Sequence, residues 1–327
     1  MLLFLGGCTR VVDPEPIWIG HLAPLSGPDQ ERGEDARRAM QLMLEEMRGK
    51  DRQVHGRTVA IRHVDASGGA TARAEAVRLL AVNRVQALLV GPGVSGREEI
   101  LASARGQGAP VLFLDEAPFS EGEDLANLAW THLKLRQVRV QQSQEETNFR
   151  LLVDGFESRW RSLGGAQVSQ ARAEALTLVA LPVTSFPDLM NNPAAILGPY
   201  LVPPGQVRSA QGFARVPFFS ITAMAPGVQL DDEARAWTKR YQERFKLPVT
   251  SDVVLAHDGL GIVLAALEGA DNTSRAALSV SLAGMKSFQG LTGSLTQKDG
   301  TWHRPRWLVR YKENQATVVG KLDPPTP

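Results

Sequence analysis

Short apolar segments alternate with longer segments of helical period along most of the chain, and this alternation constrains the fold most strongly. Four apolar segments have strand length: Ile17–Leu22, Val59–Val64, Ala87–Val90 and Val111–Leu114. Between them lie Ala36–Met47, Thr71–Asn83 and Glu98–Arg105, whose apolar residues are spaced for one face of a helix. Apolar strands separated by helices predict βαβ units in a parallel sheet covered on both faces.

The alternation returns after a less regular stretch, so the sequence predicts a second α/β lobe. Phe119–Leu128 is acidic and is predicted as a loop. Helices are then predicted at Phe149–Leu163, Asp231–Phe245, Asp252–Gly269 and Arg275–Met285. Strands are predicted at Leu176–Leu181, Ala194–Leu197, Phe218–Thr222, Gly290–Gln297, Trp307–Tyr311 and Thr317–Val319. A length of 327 residues suits two domains.

Composition excludes several classes of protein. The chain has 36 Lys and Arg against 35 Asp and Glu, and a net charge of +1 predicts no nucleic-acid partner. One Cys excludes a disulfide framework, and the six His show no metal-ligand spacing, so no metal or cofactor is predicted. His257 and Asp258 are adjacent on a predicted helix, where side chains diverge by about 100°, so they are not expected to act as one catalytic dyad, and each is expected to cap, pair or pack.

The first residues resemble a bacterial lipoprotein signal. Leu5-Gly6-Gly7-Cys8 is similar to a lipobox, in which the Cys is acylated and two acyl chains hold the protein at a membrane. Only seven residues precede Cys8 and none is Lys or Arg, whereas an export signal has a positive start and an apolar core of about 7–15 residues. Either the true start lies upstream, or Cys8 is a buried apolar residue. Residues 1–16 are predicted as a truncated signal and tether.

The string Gly91–Gly96 fits the dinucleotide-binding pattern G-x-G-x-x-G, and Asp115 follows at the distance of a ribose-binding acid. Two strand–helix units precede this string, however, and Pro92 removes one N–H that could face a phosphate. A glycine-rich turn at a helix start attracts a carboxylate as well as a phosphate. Ser95 and Glu98 also form S-x-x-E, which predicts a capping box.

Several segments in order resemble the branched-chain amino-acid (Leu/Ile/Val) binding proteins, the substrate-binding components of ABC importers. They are Ile17–Pro28, Gly56–Asp65, Val85–Ala117, Asn192–Ile221, Phe245–Pro248, Ala256–Leu260 and Phe288–Gly300. The resemblance implies an α/β fold of two Rossmann-like lobes joined by three hinge crossings, the type I periplasmic-binding or Venus-flytrap arrangement. Lobe 1 is predicted as 17–130 plus 252–305, and lobe 2 as 131–251 plus 306–323.

The resemblance also implies a ligand site in the cleft between the lobes. The predicted ligand-binding residues are Ser26, Gly93, Ser95, Asp115, Glu116, Ala117, Tyr200 and Thr222. Ser95 matches the serine that meets the ligand carboxylate, and Tyr200 matches an aromatic residue of the second lobe. Thr222 stands where the amino-acid binders have a Glu for the ammonium group, so another acid is needed, and Asp115 or Glu116 is placed for it.

The resemblance therefore predicts a binding protein rather than an enzyme. We expect an extracytoplasmic lipoprotein, anchored through Cys8, that captures a small amino-acid-like or carboxylate solute for an ABC permease. Two alternatives stay open. One is an envelope interaction or sensory protein with a degraded cleft, and the other is a nucleotide-dependent enzyme.

Overall fold

A computed structural model describes residues 14–27, 29–134, 136–142, 147–169, 175–180, 196–197, 218–298, 300–312 and 315–324. Its first sheet is parallel and four-stranded, with the order β2-β1-β3-β4. These strands are β1 (Ile17–Ala23), β2 (Val59–Asp65), β3 (Ala87–Val90) and β4 (Val111–Phe113). The prediction of a parallel sheet in this part of the chain is confirmed.

Helices cover both faces of this sheet, because successive strand residues point to opposite sides. The helices of this part of the chain are α1 (Gln30–Gly49), α2 (Gly69–Val77), extended by one π-helical turn at Arg78–Val82, and α3 (Arg97–Gly106). Leu89 packs in a cluster with α1, whereas Leu88 packs in a cluster with α2 and α3. The sheet is thus a buried layer, which explains its continuous apolar strands.

A second sheet of seven strands has the order β14-β13-β9-β8-β7-β5-β6. Its strands are β5 (Gln137–Gln142), β6 (Ala166–Gln167), β7 (Ala175–Ala180), β8 (Ile196–Leu197), β9 (Phe218–Thr222), β13 (Arg306–Lys312) and β14 (Gln315–Leu322). Strands β5 to β9 pair in parallel, and β13 joins β9 in antiparallel register. The helix α5 (Thr147–Ser162) contributes Phe156 and Trp160 to the core of this second unit.

The predicted loop at Phe119–Leu128 is wrong, because these residues form the helix α4 (Pro118–Leu128). Pro118 is suited to the first turn of a helix. Leu125 and Leu128 supply an apolar face that packs with α5 in the second core. A further π-helical turn at Ala129–Leu133 continues α4. In the sequence, the acidic residues of α4 made the apolar pattern of this helix difficult to recognise.

The remaining elements return to the first core. They are α6 (Asp232–Phe245), α7 (Ser251–Gly269), α8 (Arg275–Gly284) and an antiparallel sheet of β10 (Ser287–Gly290), β11 (Gly293–Lys298) and β12 (Thr301–His303). Trp237 and Tyr241 on α6 pack in the same cluster as α1 and α7. Within the described part of the chain, no helix is long and apolar enough to cross a membrane.

Among the described elements, the chain passes between the two cores three times. The passages follow β4, β9 and β12. Since α4 packs in the second core and α6 in the first, both helices lie on the other side of the predicted boundaries at 130/131 and 251/252. We therefore propose that the crossings lie at 114–117, 222–225 and 303–306.

Candidate functional site

The loop that follows β1 is fastened to the end of β2 by one carboxylate. The Ser26 hydroxyl donates to Asp65 Oδ2 at 2.5 Å, and the Leu25 N–H donates to Asp65 Oδ1 at 2.9 Å. The hydrogen bond from Ser26 is the main reason why the pKa of Asp65 lies below its usual value. Ser26 itself is exposed at the carboxyl edge of the first sheet, where its role in ligand binding stays a prediction.

The glycine-rich turn after β3 has left-handed backbone at two positions. Gly93 has a φ of 83° and Gly96 a φ of 81°, a region in which residues with a Cβ are strained. The Gly91 N–H donates to the Leu22 carbonyl at 2.7 Å, so it does not face a ligand phosphate. Ser95 lies exposed between the two left-handed glycines.

The predicted capping box at Ser95 and Glu98 is wrong. The helix α3 begins at Arg97, and its N-cap residue is Gly96, which has no side chain to accept from the first N–H groups. The left-handed turn at Gly96 places Ser95 outside the start of the helix. Ser95 therefore does not cap α3, and its exposed hydroxyl lies at the strand-end edge of the sheet.

Arg97 holds Asp115 at the end of β4. Its Nη1 lies 2.8 Å from Asp115 Oδ1 and donates to the Glu116 carbonyl at 3.3 Å. The guanidinium carbon lies 3.8 Å from the centre of the Phe113 ring, a cation–π distance. Asp115 already has a cationic partner within the chain, which disfavours it as the ribose-binding acid of a dinucleotide site.

Glu116 is a buried acid with an unsatisfied carboxylate. It is 8% exposed, and neither of its carboxylate oxygens has a hydrogen-bond partner among the described residues. His303 Nδ1 lies 3.7 Å from Glu116 Oε2. Burial alone would lower the pKa of Arg306, but the charges of Glu116 and of acids on α4 raise it above its ordinary value. Because a buried acceptor without donors is costly, Glu116 is better suited than Asp115 to meet the donor of a ligand.

The other predicted site residues are placed as follows. Ala117 is the N-cap residue of α4 and has extended backbone. The Thr222 hydroxyl donates to the Met224 carbonyl at 2.8 Å and lies 2.5 Å from Ser251 Oγ, so it is engaged within the chain at the second crossing. Tyr200 and Cys8 lie outside the described residues.

A buried ion pair lies against the glycine-rich turn, and the sequence analysis missed it. Arg32, which is 2% exposed in the first turn of α1, places Nη2 at 3.2 Å from Oδ1 of Asp252 on α7. A Cβ at Gly93 would come within 3.1 Å of Arg32 Nη1, so the glycine leaves room for this arginine. A partner about 220 residues away leaves no local signal in the sequence.

His257 and Asp258 contact each other, so the pairing expected as one of their structural roles is observed. His257 Nδ1 lies 3.2 Å from Asp258 Oδ1, because the imidazole reaches across the angle between the two Cβ directions. Asp258 is fully buried and also accepts from the Leu291 N–H and from Arg304 Nη1. Arg304 donates in turn to the Leu114 carbonyl, so this network connects α7 with the first and third crossings.

Three polar side chains of the first lobe lie at these strand ends. They are Ser95, whose hydroxyl is exposed, Ser26, whose exposed hydroxyl donates to Asp65, and Glu116, whose buried carboxylate has no hydrogen-bond partner among the described residues. No group of three or more His, Cys, Asp or Glu side chains within the described ranges could hold a metal ion.

Comparisons with known proteins agree with this architecture. Residues 16–132 match the sequence model of the family described as periplasmic binding protein. No curated protein sequence matches the chain.

Three solved structures illustrate the likeness of fold. The leucine-binding protein LivK from Thermotoga maritima has a TM-score of 0.81 at 16% identity, covering 94% of this chain and 99% of its own. LivJ from Streptococcus pneumoniae, a branched-chain amino acid binding protein solved with isoleucine, has a TM-score of 0.75 at 17% identity, covering 93% and 99%. A solute-binding protein from R. palustris, solved with benzoate, has a TM-score of 0.77 at 16% identity, covering 95% and 97%.

The resemblance predicted from the sequence is thereby confirmed in two respects. Residues 16–132 match the periplasmic binding protein family, a family of binding proteins, and the chain has the type I periplasmic-binding fold of the branched-chain amino acid ABC transporter proteins.

Proposed function

We propose that this chain is an extracytoplasmic solute-binding protein that captures a small polar solute between its lobes and delivers it to an ABC importer. The observation that carries the proposal is the position of Ser26, Ser95 and Glu116, which lie at the carboxyl ends of parallel strands beside the crossings between two cores. Open α/β sheets bind ligands at this edge, and lobes joined by a few segments close about them. Such a protein carries its ligand and leaves it chemically unchanged.

The polar groups of the first lobe suit an amino-acid-like or carboxylate ligand. Ser95 and the glycine-rich turn offer a hydroxyl and N–H groups, which can bind a carboxylate. Glu116 offers an acceptor to an ammonium or amide group, a role that the engaged hydroxyl of Thr222 does not fill. The relatives solved with isoleucine and with benzoate support a ligand of this size.

A binding assay that compares the wild type with a variant whose glycine-rich turn is blocked tests this proposal. The full chain would be titrated with leucine, isoleucine, valine and benzoate, and melting would be followed by differential scanning fluorimetry. A ligand at 100 times its Kd stabilises the folded state by about 2.7 kcal/mol, which raises Tm by about 2–4 °C per kcal/mol in lobes of this size. Ser95→Trp should abolish the shift, because the indole fills the space beside the turn.

The matched control is Ser162→Trp, which places the same side chain at the exposed end of α5. The control should keep the full ligand-dependent shift. No shift with any ligand of the panel, or a shift that persists in Ser95→Trp, would contradict the proposal and would favour an envelope interaction protein with a degraded cleft.

We propose further that Cys8 anchors the protein to a membrane and that the permease of an ABC importer is its partner. The lipobox-like Leu5-Gly6-Gly7-Cys8 supports the anchor. With the complete export signal, Cys8→Ala should move the protein from the membrane to the soluble fraction. Wild-type protein recovered wholly in the soluble fraction would exclude the anchor.

A further inference from the structure

We propose that the first lobe carries a second small-molecule site, separate from the strand-end loops, in a pocket formed by α1, α6, α7 and the β10 hairpin. The site would take a compact molecule with a planar apolar body and a carbonyl or carboxylate acceptor. None of the predicted ligand-binding residues that the structure describes lines this pocket.

The pocket has the size and the lining of a ligand site. Its volume is about 310 Å³, which is within the range of small-molecule sites. Its walls include the apolar side chains of Met43, Met47, Trp237, Leu264 and Phe288 and the imidazole of His257. The indole and the phenyl ring give flat surfaces, and the two thioethers give polarisable ones, against which a planar molecule packs well.

Trp237 supplies the polar feature that points to a ligand. The residue is 4% exposed, yet its indole Nε1 has no hydrogen-bond partner among the described residues. Its ring is fixed by Tyr241, at a centroid distance of 5.6 Å, and by the edge-on His257, at 4.5 Å. A buried indole usually finds an acceptor, so an acceptor on the bound molecule would complete this site.

The charges at the rim leave a cation available for a carboxylate. Glu46 pairs with Arg240 at 2.7 Å, and Arg52 pairs with Glu268 at 2.7 Å. Lys50 lines the same rim, is exposed, and forms no ion pair with the described residues. Two acids also line the pocket, Asp231, which caps α6, and Glu233, which is exposed, so Lys50 is the lining cation that can turn toward a ligand carboxylate without breaking an ion pair.

The test uses indole-3-acetate as the probe, because it combines a planar body with a carboxylate. Binding to the full chain would be measured by saturation-transfer NMR and calorimetry, with an expected Kd of about 1 mM, typical of a small fragment. Ala265→Phe fills the pocket from the half-exposed face of α7 and should abolish binding. Ala102→Phe, at an exposed position of α3, is the matched control and should bind as the wild type does.

Two further variants separate this site from the cleft and from effects on folding. Trp237→Phe keeps an aromatic ring but removes the Nε1 donor, and should weaken binding about 5-fold, the effect of one hydrogen bond. The probe is itself a carboxylate and could also enter the cleft, so the variants are compared in the Ser95→Trp background, in which the strand-end turn is blocked. In that background, absence of binding at about ten times the expected Kd, or binding that survives Ala265→Phe, would overturn the proposal.

Discussion

Buried arginines are the residues on which the two cores and their crossings depend. Arg32 pairs with Asp252 between α1 and α7, Arg304 pairs with Asp258, and Arg306 pairs with an acid of α4. Each arginine is at most 5% exposed, so each needs its partner to remain charged without a large cost. Arg304 and Arg306 flank Pro305, so neighbouring residues of the third crossing are fixed to elements of different lobes.

Removal of one partner of a buried pair should be strongly destabilising. Asp252→Ala leaves the Arg32 guanidinium buried without a carboxylate, and we expect a loss of about 3–5 kcal/mol in the free energy of unfolding. Urea denaturation measures this loss. Glu268→Ala, which breaks the exposed pair with Arg52, is the control and should cost less than about 1 kcal/mol. Equal losses in the two variants would contradict the role given to burial.

Two histidines make the first sheet sensitive to acid. His21 and His63 lie opposite each other on β1 and β2, with their Nδ1 atoms 2.8 Å apart. Burial, followed by the charge of Arg37, lowers the pKa of His63 to about 4, and burial also lowers the pKa of His21. Because the unfolded chain then binds more protons than the folded chain, stability should fall as pH decreases from about 6.5 toward 4.

The double variant His21→Leu/His63→Leu should lose less stability over the same pH range, by about 2 kcal/mol. The measurement is the free energy of unfolding in urea at pH 7, 6, 5 and 4.5. Asp35 works in the opposite direction, since burial raises its pKa to about 6 and its contribution declines as pH increases. Asp35 is present in the wild type and in the double variant. The difference between their curves of stability against pH therefore reports the contribution of the two histidines. Parallel curves would exclude their role.

Local patterns account for part of the candidate site that could be predicted from the sequence. Gly93 and Ser95 stand in a short turn between a strand and a helix, and such turns depend on residues that are adjacent in the chain. The neighbour of Glu116 at the crossings was not predicted, because His303 comes from a distant segment of the chain. The same holds for Arg32, whose buried position depends on α7.

At the scale of elements, the contact between α4 and α5 depends on two glycines. A Cβ at Gly122 would lie 1.9 Å from the Leu152 carbonyl oxygen, and one at Gly155 would lie 2.0 Å from that of Phe119. The helix backbones therefore pack directly against each other. This contact holds the helix of the first crossing on the second core.

A methyl group at this contact should force the two helices apart. We expect Gly122→Ala to destabilise the protein by about 1–3 kcal/mol or more, the cost of overpacking. Gly106→Ala, in the last turn of α3 with no atom near its Cβ, is the control and should be neutral or slightly stabilising. Chemical denaturation measures both changes. A neutral Gly122→Ala would show that α4 does not pack against α5 as described.

The same physics explains which elements were predictable. Strands β1 and β3 are buried on both faces, and they were recognised as continuous apolar segments. Strand β5 alternates Val with Gln and Arg, so its pattern was too weak to identify. The helix α4 was taken for a loop because its acidic residues and Gly122 obscure a face that is apolar only against α5.

At the scale of the whole molecule, the described elements form two cores, and the proposed crossings are three short segments between them. Two polar side chains lie on these segments: Glu116 on the first segment and His303 on the third segment. The second crossing is held by the hydroxyls of Thr222 and Ser251. We propose that the lobes rotate as rigid bodies while the crossings absorb the change, as in proteins whose hinged cleft encloses a ligand.

The most direct test is a distance measurement across the cleft. Spin labels would be attached at exposed positions of the two lobes, through Arg73→Cys on α2 and Arg150→Cys on α5, with Cys8 replaced by Ser. Electron–electron resonance would record the distance with and without a mixture of branched-chain amino acids and benzoate. Closure of the lobes about a solute predicts a shift to shorter distances that Ser95→Trp abolishes. A distribution that the mixture leaves unchanged would contradict capture of a solute by closure of the lobes.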